Sequence, residues 1–140
     1  LNPRDEPGRV ALIHRMGAAR VEANLPPILE EVARSGRRVL WICDPMHGNT
    51  EKAASGIKTR NFQRILDELE AAFDAHHKAG THLGGVHFEL TGEDVTECVG
   101  GGSGVQEGDL TRNYVSPCDP RLNYSQALEL AFVIAGRAGR

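Results

Sequence analysis

The sequence predicts an α/β fold built on a parallel sheet, and three observations carry that prediction. Apolar runs such as Val39-Leu40-Trp41-Ile42-Cys43 are continuous rather than alternating, as expected of strands covered on both faces. Between them lie stretches with apolar residues at helical spacing, and Gly, Pro and Asn punctuate the joints. The resulting order, strand-helix-strand-helix-strand-loop-helix, implies right-handed crossovers between parallel strands.

Taken in order, the first strand is Arg9 to His14, Arg-Val-Ala-Leu-Ile-His, closed by Arg15, Met16 and Gly17. Asn24 is the expected cap of the first helix, with Pro26 and Pro27 in the first turn, where a missing amide donor costs little. Ile28, Leu29, Val32 and Ala33 continue it to Gly36. The second strand runs from Arg38 to Asp44 and is stopped by Pro45. A polar loop through Lys58-Thr59-Arg60 leads to the longest helix, in which Phe62, Ile65, Leu66, Leu69, Ala72 and Phe73 form one stripe before Gly80. Gly85 to Leu90 reads as a third strand. Gly100-Gly101-Gly102-Ser103-Gly104 cannot pack as a regular element and reads as a long loop of the kind that often carries function. Asn123 or Ser125 then caps a last helix bearing Leu128, Leu130, Ala131, Phe132, Ile134 and Ala135.

Residues 1–140 are compatible with one globular unit, with 40% hydrophobic and 25% charged residues. A formal charge of -3 with interspersed signs offers no basic footprint for nucleic acid. No apolar run approaches the roughly 20 residues of a membrane span and no signal segment opens the chain, so the expected partners exclude membrane and the expected compartment is the cytosol. Cys43, Cys98 and Cys118 are an odd number without zinc-type spacing, which argues against a disulfide framework or a structural zinc. Leu1 stands where an initiator Met would, so the chain is expected to begin within something longer or to have been processed. Three β-α units are also too few for a closed barrel, which takes about 250 residues. The expectation is either an open three-layer sheet or the last part of a barrel.

His47, Glu89 and Asp119 lie at or just past the expected strand ends, beside turn residues that would present them from a rigid frame. A neutral imidazole with two carboxylates suits a divalent cation, and the oxygen majority favours Mn²⁺ over Co²⁺, Fe²⁺, Zn²⁺ or Cd²⁺. The competing reading is a turn-capping His47, a lysine-paired Glu89 and a turn-making Asp119. Arg15, at the end of the first strand, would either hold a phosphate or carboxylate in a bidentate fork or lie over the sheet end. Lys58-Thr59-Arg60 would serve a second phosphate or simply be solvated. Asp44, Glu93, Asp94 and Glu97 supply further carboxylates for proton transfer or for holding a ligand in place. His87, expected inside the third strand and on the same face as Glu89, reads as a hydrogen-bonded core histidine or a partner of the ligand set. Cys118 would be oxidisable beside a metal, or buried and inert.

The runs Trp41 to Thr50, Lys58 to Phe62, Gly84 to Gly101 with its Glu-Leu-Thr-Gly-Glu-Asp-Val-Thr-Glu-Cys, and Cys118 to Asn123, together with Arg9 to Gly17, resemble class II (plant-type) 3-deoxy-D-arabino-heptulosonate 7-phosphate synthase. The resemblance covers nearly the whole chain in the family's order. It implies that residues 1–140 are the C-terminal three β-α units of a (β/α)8 barrel. It further implies that His47, Glu89 and Asp119 match three of the family's four metal ligands, and that Arg15 matches an arginine contacting phosphoenolpyruvate. The fourth family ligand is a cysteine from an earlier unit, and none of the three cysteines here matches it. The implied reaction joins phosphoenolpyruvate to erythrose 4-phosphate with release of phosphate, in a homo-oligomeric full-length protein, while these residues alone are expected to be inactive. A non-catalytic remnant or interaction module, or another metal-dependent aldolase or lyase, would use the same fold.

Overall fold

The computed structural model describes residues 2–138. These form two compact units, one running to Gly48 and resuming over Asp67–His87, the other comprising Asn49–Leu66 and the chain from Phe88 onward.

The first unit contains a three-stranded parallel sheet in the order β1 (Ala11–His14), β2 (Leu40–Cys43), β5 (Leu83–Val86). Ala11 to His14 pair in register with Leu40 to Cys43, and an irregularity between Trp41 and Ile42 shifts the pairing with β5. Gly84 sits at that shift, where a Cβ would lie 2.5 Å from the Leu40 side chain. Helix α1 (Ala18–Arg34) buries Val21, Leu25 and Leu29, a four-residue repeat that faces inward. It starts at Ala18, seven residues earlier than a cap at Asn24 would place it, after Gly17, whose φ of 85° favours glycine. Pro26 and Pro27 therefore lie inside the helix rather than in its first turn. Each removes an amide donor, and the buried stripe outweighs a local cost on the order of 3 kcal/mol. Gly36, at φ 67°, closes the helix where expected.

The second half of α2 (Phe62–Lys78) contributes Leu69, Ala72 and Ala75 to the same core. His76 packs edge-on against Trp41 at 5.4 Å and lies 5.6 Å from the ring of His14. Burial pushes His14 down to about 4 against the pull of Asp44. His76 also falls to about 4, through burial and then the neighbouring His14 and His82. Both rings are accordingly neutral members of the core.

Expected burial on both faces is not found. His14, Trp41 and Cys43 face the helices, but Ile13 on the alternate face is 55% exposed and Leu40 is 38% exposed. One helix-covered face is the build of a barrel wall rather than of a three-layer sheet, and three strands close no barrel. Strand β5 also ends earlier than expected, so His87 and Glu89 follow it rather than sharing one of its faces.

The second unit contains a hairpin absent from the sequence reading, β3 (Thr50–Lys52) paired antiparallel with β4 (Lys58–Arg60). Its turn is closed by Gly56 at φ 83°, with Ala53 donating to the Ile57 carbonyl. Asn61 Oδ1 accepts from Gln63 N and caps the start of α2, whose Phe62 and Ile65 are buried here. Helix α3 (Tyr124–Ala138) is capped by Asn123 and not by Ser125. Asn123 Oδ1 accepts from Gln126 N while Gln126 Oε1 accepts from Asn123 N, a reciprocal capping box. Gln126 Nε2 also donates to the carbonyls of Cys98 and Gly100, which ties the glycine-rich loop to the helix. Among the described residues, no helix is long and apolar enough to cross a membrane.

Candidate metal centre

In the first unit, the residues after β1 and β2 form a groove lined by Ile13, Arg15, Asp44, His47 and His87. Asp44, 3% exposed, extends the β1–β2 ladder by donating its N–H to the His14 carbonyl. Its Oδ2 lies 2.7 Å from His47 Nδ1, and its Oδ1 accepts from the N–H groups of Met46 and His47. His47 opens a single 3-10 turn, His47–Asn49, that Pro45 and the Asp44 carboxylate prepare. Ligand atoms of Asp44, His47 and His87 lie within 4.8 Å of one another. His87 is exposed and outside β5, so of its two expected readings the core histidine is not found, and its ring is 5.9 Å from that of His47. Arg15 is exposed in the same groove, so two of the four expected site residues, Arg15 and His47, share one cleft.

Close backbone packing holds that cleft. Glu68, fully buried on α2, accepts from the N–H groups of Met16 and Gly17 at 2.8 and 3.0 Å, fixing the loop that follows Arg15. A Cβ on Gly48 would collide with the Gly17 N and Cα atoms, so the loop after His47 packs directly on that loop.

In the second unit, Glu89 and Asp119 meet a common cation. Arg60 is fully buried at the end of β4 and donates through Nη1 to Glu89 Oε2 and the Pro120 carbonyl, and through Nε to Thr50 Oγ1. Its Nη2 lies 3.9 Å from Asp119 Oδ2. Lys58 Nζ is 2.8 Å from Asp119 Oδ1, and this hydrogen bond raises the lysine pKa. The basic triplet expected to meet a second phosphate or water is thus partly inside the protein, pairing the two carboxylates. Sequence reading undervalued Arg60 because nothing in a polar triplet distinguishes a buried guanidinium from a solvated one.

Asp119 is carried by a loop that Glu97 organises. Glu97 Oε1 accepts from Val115 N, Ser116 N and Arg121 Nη2, and Oε2 from Arg121 N and Nε. Burial favours its protonation, but the Arg121 side chain and the backbone donors outweigh that and hold its pKa below the usual carboxylate range. Glu97 is therefore a structural clamp rather than a proton-transfer group. Cys118 is exposed rather than buried, while Cys43 and Cys98 are buried. Burial raises both buried thiols, Cys98 to about 12.

Residues 1–135 match the Class-II DAHP synthetase family. The chain belongs to that family. Its relatives include the Mycolicibacterium smegmatis protein named phospho-2-dehydro-3-deoxyheptonate aldolase AroG, 53% identical over 96% of this chain and 29% of the relative. A Streptomyces coelicolor phospho-2-dehydro-3-deoxyheptonate aldolase is 56% identical over 96% of this chain and 30% of its own length. One from Neurospora crassa is 54% identical, matched over 28% of its length. The chain thus spans less than a third of the length of these relatives.

His47 offers an imidazole whose Nδ1 is engaged by a carboxylate, and Glu89 and Asp119 each offer a partly exposed carboxylate, donor types that suit a hard or borderline divalent cation.

Proposed function

We propose that this chain supplies the metal-holding and enol-phosphate-holding part of a 3-deoxy-7-phosphoheptulonate synthase, acting in the first step of the route to aromatic amino acids. The observation that carries the proposal is the family match over residues 1–135, with relatives at 53% and 56% identity bearing that activity in their names. His47, Glu89 and Asp119 would hold one divalent cation, Mn²⁺ by the oxygen-rich donor set. When bound, that cation supplies Lewis acidity to the aldehyde oxygen of erythrose 4-phosphate as negative charge grows there.

The remaining work belongs to the chain's own side chains. Arg15 orients phosphoenolpyruvate by its charged groups and offsets their repulsion from the second phosphate. C3 of the enol phosphate then bonds to the aldehyde carbon, water adds at C2, and the C2–O bond to phosphate breaks. Arg60 and Lys58 fix Glu89 and Asp119 in place and moderate their mutual repulsion. Asp44 does the same for His47.

The test uses the protein expressed from its own gene. With Mn²⁺ and both substrates, it should release one phosphate per seven-carbon sugar acid formed, and His47→Ala should abolish measurable Mn²⁺ binding by calorimetry. A different condensation product, identified by mass, would replace this reading with another metal-dependent aldolase. Failure of the wild-type protein to bind any divalent cation would reduce it to a non-catalytic module.

A further inference from the structure

We infer that Asp44 is a positioning residue that sets both the tautomer and the direction of the His47 ring. This rests on the proposed role of His47 as a metal ligand, although the tautomer itself is testable without metal. The two oxygens of Asp44 have separate tasks. Oδ1 accepts from two backbone donors, Met46 N at 3.0 Å and His47 N at 3.2 Å, and so is fixed by the turn. Oδ2 faces His47 Nδ1 at 2.7 Å.

An ionised carboxylate only accepts, so the proton between the two groups sits on Nδ1 and the ring lone pair is at Nε2. Ligation then goes through Nε2, and the ring is aimed by a group 3% exposed at the end of a strand. The same carboxylate therefore shapes the turn that carries His47 and chooses which nitrogen of His47 can bind a cation. A residue that merely capped the turn would need Oδ1 alone.

Asp44→Asn separates the two tasks with almost no change of shape. Its amide oxygen must remain on the two backbone donors, which turns the amide NH₂ toward Nδ1. That group donates, so the ring proton moves to Nε2 and the lone pair to Nδ1. The substitution thus inverts the tautomer while keeping the turn.

The experiment is a long-range ¹H–¹⁵N correlation spectrum of the metal-free protein from its own gene, ring-labelled at histidine, well above the ordinary imidazole pKa of about 6.5. His47 signals are assigned by their loss in His47→Gln. The wild type should show His47 protonated at Nδ1, and Asp44→Asn should show it protonated at Nε2. Calorimetry on the same samples should give Mn²⁺ binding weakened about 10- to 100-fold by Asp44→Asn. Protonation at Nε2 in the wild type would overturn the inference without recourse to any variant. Unchanged Mn²⁺ affinity in a folded Asp44→Asn protein would also overturn it, while leaving the metal proposal standing. The expected pair of tautomers in a protein that binds no cation would support the role of Asp44 and remove the metal proposal instead.

Discussion

Glu97 illustrates how one ionised side chain can shape a functional loop from behind. Five N–H donors converge on its two oxygens, three of them from the Arg121 backbone and side chain. An amide in its place would accept on one side only, so Glu97→Gln loses at least two charge-assisted bonds. Arg121 is 30% exposed and recovers part of its loss through water, which leaves a net destabilisation of about 2–3 kcal/mol. The sign of the pH effect follows from the lowered pKa. The stabilisation is fully present above the ordinary glutamate pKa of about 4.3 and is lost as pH falls through the lower folded value. Urea unfolding near neutrality and in acid should therefore show the wild-type advantage over Glu97→Gln shrinking with acidification. An advantage that stayed constant would mean the carboxylate is not the clamp.

Between elements, the sites depend on loops pressed backbone to backbone. The Gly17–Gly48 approach leaves no room for a methyl group, and the nearest atoms are Gly17 N and Cα, which cannot swing away as a side chain could. Gly48→Ala must push apart the loops that carry Arg15 and His47, at a cost of about 1–3 kcal/mol. A thermal midpoint several degrees below wild type is expected, and a midpoint equal to it would show that the two loops yield freely. No sequence pattern announces this contact, because glycines that relieve a tertiary approach look like glycines that make turns. What sequence did reveal was whatever has a long apolar period. The stripe from Phe62 to Phe73 and the run from Val39 to Cys43 gave α2 and β2 within a few residues. The β3–β4 hairpin escaped because each strand is three polar residues long, its stability coming from Thr59 and Arg60 buried against the second unit's own loops. The start of α1 escaped because Pro26 and Pro27 look like a first turn, and only the burial of Val21 and Leu25 carries the helix through them. At the site, residue type and proximity to strand ends identified His47, Glu89, Asp119 and Arg15 as candidates. Their cationic supports, Arg60 and Lys58, become visible only once the hairpin is folded.

For the molecule as a whole, charge compensation decides what these residues can accomplish alone. Two phosphorylated substrates brought together in one cleft repel by several kcal/mol where water is scarce, so a synthase needs cations directed at both. Arg15 faces the groove of the first unit, but Lys58 and Arg60 are committed to Asp119 and Glu89, and Arg121 to Glu97. The sheet face that runs up to this groove is also open at Ile13, so water has access where a catalytic cleft would exclude it. Relatives with the named activity are more than three times as long as the matched segment, which allows further units to supply both cations and walls. The 140 residues produced by themselves, supplied with Mn²⁺, phosphoenolpyruvate and erythrose 4-phosphate, should accordingly release phosphate no faster than a protein-free control. Phosphate release well above that control, abolished by His47→Ala, would mean that these residues suffice, and that the anion repulsion is screened by solvent rather than by protein.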